Sequence, residues 1–470
     1  MAWCGENMTL VRLEPDAEGE ARLARFGSMR EDYSADEPRV QPGTTLCTPQ
    51  LLAVRLDVVQ VAFGRAHLAV LAAGGGVFTG GSNNDAQLGR PAACCGVPHA
   101  LARVALPHAG MLGERVACGA RNTLLVLRDG AGGRLVAGCG ANYDGQLTTT
   151  EVLTVRSMAE LDIAPLTGGS VRVPAGVSVR VAAGRSFTVV AVGGTVGTRG
   201  REAPGMPADL GDNWSTVFAP LGVSVRHLVA GAQHVLAGGA ADGRLRVWGW
   251  GANTYRQLGF ANEDQAVSAP TEIVFGCPQL AGEDFASMLA AWDRNSLIMV
   301  DGRVWAMGQQ AYLAFEPSAA EPSFWLSPHA QVREVDPRHF DGLPVAHVGL
   351  GKKHAAFTTT CGRLYVRGFS RDSFETHEPN GLPTGVRQTR RGTTGVCRKV
   401  TLAHPKLVPP ALFGGLACGV VRLGAASRVA LCMGAHPRLG RASALARLDA
   451  LLLQQILVLA EALLPALVRA

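Results

Sequence analysis

The apolar residues of this chain fall in short blocks, each broken by a glycine and followed by a second block after a tight turn. The unit VAFGRAHLAVL at residues 61–71 returns as VACGARNTLLVL (116–127), VAAGRSFTVVAV (181–192), LVAGAQHVLAG (228–238) and VGLGKKHAAFT (348–358). A fainter copy, LAAWDRNSLIMV (289–300), has Trp292 where glycine is expected, and a seventh reads LACGVVRLGAASRVAL (416–431). The aligned position runs Gly64, Gly119, Gly184, Gly231, Trp292, Gly351, Gly419, and His67, His234 and His354 recur three residues on. A second element follows: GVFTGGSNNDAQLG (76–89), GRLVAGCGANYDGQL (133–147), GRLRVWGWGANTYRQLG (243–259), with weaker copies at 302–313 and 362–370 and an eroded one at 194–200.

Each element has the length of a β-strand, and Asp129-Gly130, Asp242-Gly243 and Asp301-Gly302 are hairpin signals. Small repeated sheets cannot bury both faces alone, so they must stack on one another. The expected fold is therefore all-β: a seven-bladed β-propeller, a closure that also protects strand edges. Trp3–Leu10 is similar to the second element, which predicts that residues 1–12 complete the last blade. Residues 13–50 are then an acidic linker and 51–441 the propeller repeats. Residues 442–470 break the pattern: they are strong helix formers, apolar except for a stripe of Arg447, Gln454 and Glu461. A C-terminal helix is expected there, docking on the propeller or a partner through Leu448, Leu452, Ile456, Leu459 and Leu463; a membrane span is disfavoured.

Composition adds little chemistry. Glycine is 58 of 470 residues, about 12% against a usual ~7%, and the strand ends and turns absorb much of that excess. Net charge is +6, too modest for a dedicated nucleic-acid binder. It is unevenly placed: residues 1–38 sum to −5 and residues 379–448 to +11. The eleven cysteines include no C-x-x-C pair, which fits reduced thiols in an intracellular protein of cytoplasm or nucleus, the mitochondrion remaining open. No secretory signal is expected at the start.

The joined unit, fullest at Ala230, Gly231, His234, Asp242, Gly243, Trp248, Gly249, Gly251, Asn253, Gln257, Leu258 and Gly259, resembles the regulator of chromosome condensation repeat. That resemblance implies a propeller whose relatives include interaction scaffolds and the guanine-nucleotide exchange factor of the Ran GTPase on chromatin. The tryptophan cluster of the family's photoreceptor branch is not matched by the seven Trp here.

No nucleophile or metal motif stands out. GLGKKH (349–354) lacks the upstream glycine and the Ser/Thr of a phosphate loop. The recurring histidines are expected to be structural, hydrogen-bonded within each blade. No cofactor or metal and no catalytic residue is expected. The candidate partner-binding residues are Arg387, Arg390, Arg391, Arg398 and Lys399, in a turn-prone stretch between blades, because arginine forks suit carboxylates and phosphates. The reading is a non-enzymatic interaction scaffold with a protein partner; the alternative is an exchange factor for a Ran-like small GTPase, with nucleic acid only weakly supported.

Overall fold

The computed structural model describes residues 1–5, 8–12, 23–27, 50–51, 56–90, 101–148, 152–200, 214–218, 223–260, 266–278, 287–292, 295–308, 332–352, 354–368 and 398–399. Within them the chain is an all-β propeller of seven four-stranded antiparallel sheets. The first sheet holds β1 (Ala2–Cys4), β2 (Met8–Arg12), β3 (Leu23–Gly27) and β4 (Gln50–Leu51). The second holds β5 (Val58–Phe63), β6 (His67–Ala72), β7 (Val77–Gly81) and β8 (Ala102–Arg103). The third holds β9 (Leu112–Cys118), β10 (Asn122–Arg128), β11 (Arg134–Ala141) and β12 (Thr154–Glu160).

The fourth holds β13 (Val179–Ala183), β14 (Thr188–Val192), β15 (Thr195–Arg199) and β16 (Ser215–Phe218). The fifth holds β17 (His227–Ala230), β18 (His234–Ala241), β19 (Arg244–Ala252) and β20 (Ala266–Glu272). The sixth holds β21 (Ser287–Trp292), β22 (Asn295–Val300), β23 (Arg303–Gly308) and β24 (Arg333–Glu334). The seventh holds β25 (Val345–Leu350), β26 (His354–Thr359), β27 (Leu364–Gly368) and β28 (Arg398–Lys399).

The first strand of each sheet packs on the first strand of the next, and β25 packs on β1. Both faces of a sheet therefore meet a neighbour. This is why the second strands are buried along their whole length rather than at alternate positions: β22 and β26 are buried at every position. Leu125 and Leu127 of β10 are fully buried against Leu71 and Val77 of the second sheet, each contributing about 1.5–3 kcal/mol by leaving water. Asp242-Gly243 and Asp301-Gly302 turn with positive φ at both residues, as a two-residue hairpin requires. Asp129-Gly130 instead opens a longer loop, in which the Asp129 carboxylate accepts from the Ala131 and Gly133 amides.

Two expectations change. Residues 1–12 do not complete a blade begun at the C-terminus; β1 and β2 form a sheet of their own with β3 and β4. The reason lies in the alignment of Trp3–Leu10, which belongs to the first element rather than the second. Gly5 N donates to Met8 O as Gly64 N donates to His67 O and Gly231 N to His234 O. The stretch 13–50 is not solely a linker, since it supplies β3 and the first of the two residues of β4. The outer strands β12 and β20 come from the stretches that follow the second elements of their repeats. The copy around Gly419 and the helix expected at 442–470 lie outside the described residues.

At the seam, the glycine leaves room for backbone. A Cβ on Gly64 would sit 2.6 Å from the Gly119 carbonyl oxygen, one on Gly119 would sit 2.6 Å from the Gly184 carbonyl, and one on Gly351 would overlap the Gly5 carbonyl and the His354 ring. Gly351→Ala should therefore lower stability by ~2 kcal/mol or more, while Gly130→Ala, with nothing within 4 Å, should change it by less than about 0.5 kcal/mol. Denaturant unfolding of the two variants checks this; equal effects would contradict the seam.

Candidate functional site

Site geometry is set by what joins one sheet to the next. His67 is fully buried at the start of β6, and its Nε2 lies 3.0 Å from Thr123 Oγ1 of the third sheet. The Thr123 hydroxyl gives its one proton to Gln87 O at 2.7 Å, so it accepts from the imidazole. His234 reaches Ser296 of the sixth sheet at 2.9 Å, and His354 reaches Thr9 of the first at 3.0 Å. The histidines thus bridge neighbouring blades, which corrects the expectation of bonds within each blade. A ring on the other blade's hydroxyl is the shortest route for a side chain that points off the sheet face. Sheet six has Asn295 in the histidine place.

The N-x-x-x-Q-L turns repeat a second device. Asn83, Asn142 and Asn253 each accept through Oδ1 from the amide of Leu88, Leu147 or Leu258. Gln87, Gln146 and Gln257 each accept from the amide two residues back. These polar side chains clip turns and are not free to bind.

The turns joining inner strand to second strand are stapled in series: Arg65 N donates to Ala120 O at 3.1 Å, Ala120 N to Gly184 O at 3.1 Å, and Arg185 N to Ala232 O at 2.9 Å. They hold up Arg65, Arg121 and Arg185, all exposed, from three consecutive sheets. Asp85 joins this rim; Tyr143 Oη donates to its Oδ1 at 2.6 Å and Arg121 Nε lies 3.7 Å from Oδ2. The hydrogen bond to Asp85 raises the Tyr143 pKa. This cationic rim was missed in the sequence because its arginines occupy the variable places one or two residues after the repeat glycine.

Of the residues the sequence nominated, Arg398 and Lys399 form β28, whose backbone pairs with Val366 and Tyr365; they edge the seventh sheet rather than lie in a loop between blades. Arg387, Arg390, Arg391, Leu448, Leu452, Ile456, Leu459, Leu463 and Gly419 lie outside the described residues. Gly64, Gly119, Gly184, Gly231 and Gly351 all end an inner strand.

No family model matches the chain, and no curated protein matches it in sequence. Solved structures do. Prp20p from Saccharomyces cerevisiae superposes with a TM-score of 0.55 at 16% identity, over 79% of this chain and 83% of that one. Yeast RCC1 (Prp20), solved bound to Kap60, gives 0.50 at 16% identity over 69% and 74%. The fold is the RCC1-like β-propeller. Human WBSCR16 superposes more loosely, with a TM-score of 0.38 at 22% identity over 78% and 75%.

Three thiols among the described residues are held in the protonated form. Burial pushes Cys4 and Cys118 up to about 12, and Cys139 upward as well. Among the described residues no group of His, Cys, Asp and Glu is placed to hold a metal, and no helix is long and apolar enough to cross a membrane.

Burial also holds the bridging histidines neutral, taking His67 and His354 down to about 4 and His234 to about 3. In the unfolded chain they protonate near 6.5. Between pH 6.5 and 4 the unfolded state therefore binds more protons, so stability falls as pH falls, by on the order of 1 kcal/mol per histidine per pH unit. Thermal melts from pH 7.5 to 5 should show Tm dropping below pH 6.5, and His67→Gln should flatten the slope. A Tm constant over that range contradicts the seam chemistry.

Proposed function

We propose that the protein is a non-enzymatic interaction scaffold: a closed seven-bladed propeller of the RCC1-like fold that takes an acidic protein surface on its cationic rim. The observation that supports this is the rim itself, Arg65, Arg121 and Arg185 exposed on turns stapled to one another through the backbone. Rigid turns hold long cationic side chains in register at little further ordering cost. Guanidinium forks fit carboxylates, which makes an acidic protein face the natural counterpart. Arg387, Arg390, Arg391, Arg398 and Lys399 belong to the same reading as further cationic contacts, and the leucine-rich segment 442–470 as a docking helix. An intracellular compartment, cytoplasm or nucleus, follows from the cysteine usage.

The competing reading is guanine-nucleotide exchange on a Ran-like GTPase. Prp20p, with which the chain shares its shape at 16% identity, is described with binding to Gsp1p and histones. The scaffold reading expects this chain, at substoichiometric amounts, to leave the release of labelled GDP from Ran-like GTPases at its spontaneous rate; accelerated release overturns it. It also expects the triple variant Arg65→Glu, Arg121→Glu, Arg185→Glu to keep Tm within about 2 °C of the parent. The same variant should lose at least about tenfold affinity for the protein partner purified with the parent chain, measured by calorimetry. Unchanged affinity removes the rim from the interface.

A further inference from the structure

The arginines of the rim sit at one end of the inner strands. Four residues before the repeat glycine, toward the other end, the chain carries Gln60, Arg115, Arg180, His227 and His347 in sheets two, three, four, five and seven. At this level the side chains reach for the next sheet. Gln60 Nε2 donates to Val116 O at 3.0 Å and its Oε1 accepts from Val116 N at 3.2 Å. Arg180 Nε donates to Arg226 O at 2.9 Å. His227 Nε2 lies 2.7 Å from Ser287 Oγ.

Arg115 breaks the series. It lies between Gln60 and Arg180 in the ring order, yet its Nε is buried with no hydrogen-bond partner among the described residues. A β-bulge between Val126 and Leu127 in the β9–β10 pairing sets Glu114 beside it. That carboxylate is already engaged: Arg134 Nε donates to both its oxygens, at 3.1 and 2.8 Å. Arg134 also reaches Val177 O of the fourth sheet's approach.

Arg134 thus holds the Glu114 carboxylate, and Arg115 and Arg180 lie near enough to feel its charge and each other's, with His227 and Arg226 next in line. The electrostatics are those of crowded like charges. Burial, and then the charge of Arg115, brings Arg180 down to about 10. Burial and then Arg180, Arg115 and Arg226 bring His227 down to about 4. Burial also lowers Arg115. Glu114 offsets part of this crowding, but an unsatisfied buried donor and only partly balanced charges both cost free energy, and a bound oxyanion relieves both at once.

We propose that the third and fourth sheets bind a small phosphate-type oxyanion between Arg115 and Arg180, at the end of the inner strands away from the rim. Arg115 supplies the unengaged donor and Arg180 the second positive charge, while Glu114 keeps Arg134 out of the contact. The ligand class follows from the donors: fork-shaped guanidiniums match tetrahedral or planar oxyanions and not chloride.

The test is calorimetry and thermal melting of the full chain with inorganic phosphate, against sodium chloride at equal ionic strength. We expect saturable 1:1 binding and a Tm rise of about 2 °C or more at saturation that chloride does not reproduce. Arg115→Gln and Arg180→Gln should each abolish the rise. Arg115→Lys, which keeps the charge and loses the fork, should weaken phosphate binding at least about tenfold while leaving the chain folded. A response that is linear and equal for the two salts overturns the site, and so does a phosphate shift that persists unchanged in Arg115→Gln or Arg115→Lys.

Discussion

The seam between sheets is the constraint on which the rest depends. In six of the seven sheets a glycine ends the inner strand so that the next sheet's backbone can lie against it. Gly64 faces the Gly119 carbonyl, Gly119 faces Gly184, and Gly351 faces Gly5. The amide of that glycine is clipped by the residue three places on, from Gly5 with Met8 to Gly351 with His354. Once backbones meet this closely, the second strands have neighbours on both faces and must be apolar or internally paired throughout. The turns after the glycines are then stapled sheet to sheet, and they become a rigid place to mount charge.

Side chains reinforce the same seam from within. The buried imidazoles of His67, His234 and His354 each find a hydroxyl on the following sheet. Such groups are costly to bury alone and useful only when paired. Where the imidazole is absent, as at Met8, Phe187 and Asn295, the glycine clip or its equivalent pairing persists and the packing does the remaining work. Trp292, in the glycine place of the sixth sheet, is only half-buried and pairs with Asn295 in a hairpin register.

Much of this was legible because backbone contact demands glycine at fixed spacing, and burial on both faces demands unbroken apolar runs. Two things hid the remainder. The outer strands β12 and β20 are mostly exposed or half-buried and read TVRSMAE and AVSAPTE, with neither apolar run nor clean alternation, so the repeat pattern does not mark them. The N-terminal unit carries Met8 where its relatives carry histidine, and Trp3 drew it toward the tryptophan of the second element. The cationic rim was hidden for another reason: Arg65, Arg121 and Arg185 hold places where the repeat tolerates any residue, so only the three-dimensional order of the sheets collects them. Arg115 and Arg180 are collected the same way, by register along adjacent inner strands.

At the start of the chain, β1 and β2 seat against β25 and β26 in the same way as any other neighbouring pair. The hydrogen bond between Thr9 Oγ1 and His354 Nε2, 3.0 Å across 345 residues of sequence, isolates this seating. A double-mutant cycle with Thr9→Val and His354→Phe, read by denaturant unfolding, measures that coupling directly. Seating of the first sheet against the seventh predicts a coupling free energy of about 1 kcal/mol; strict additivity of the two substitutions would contradict it.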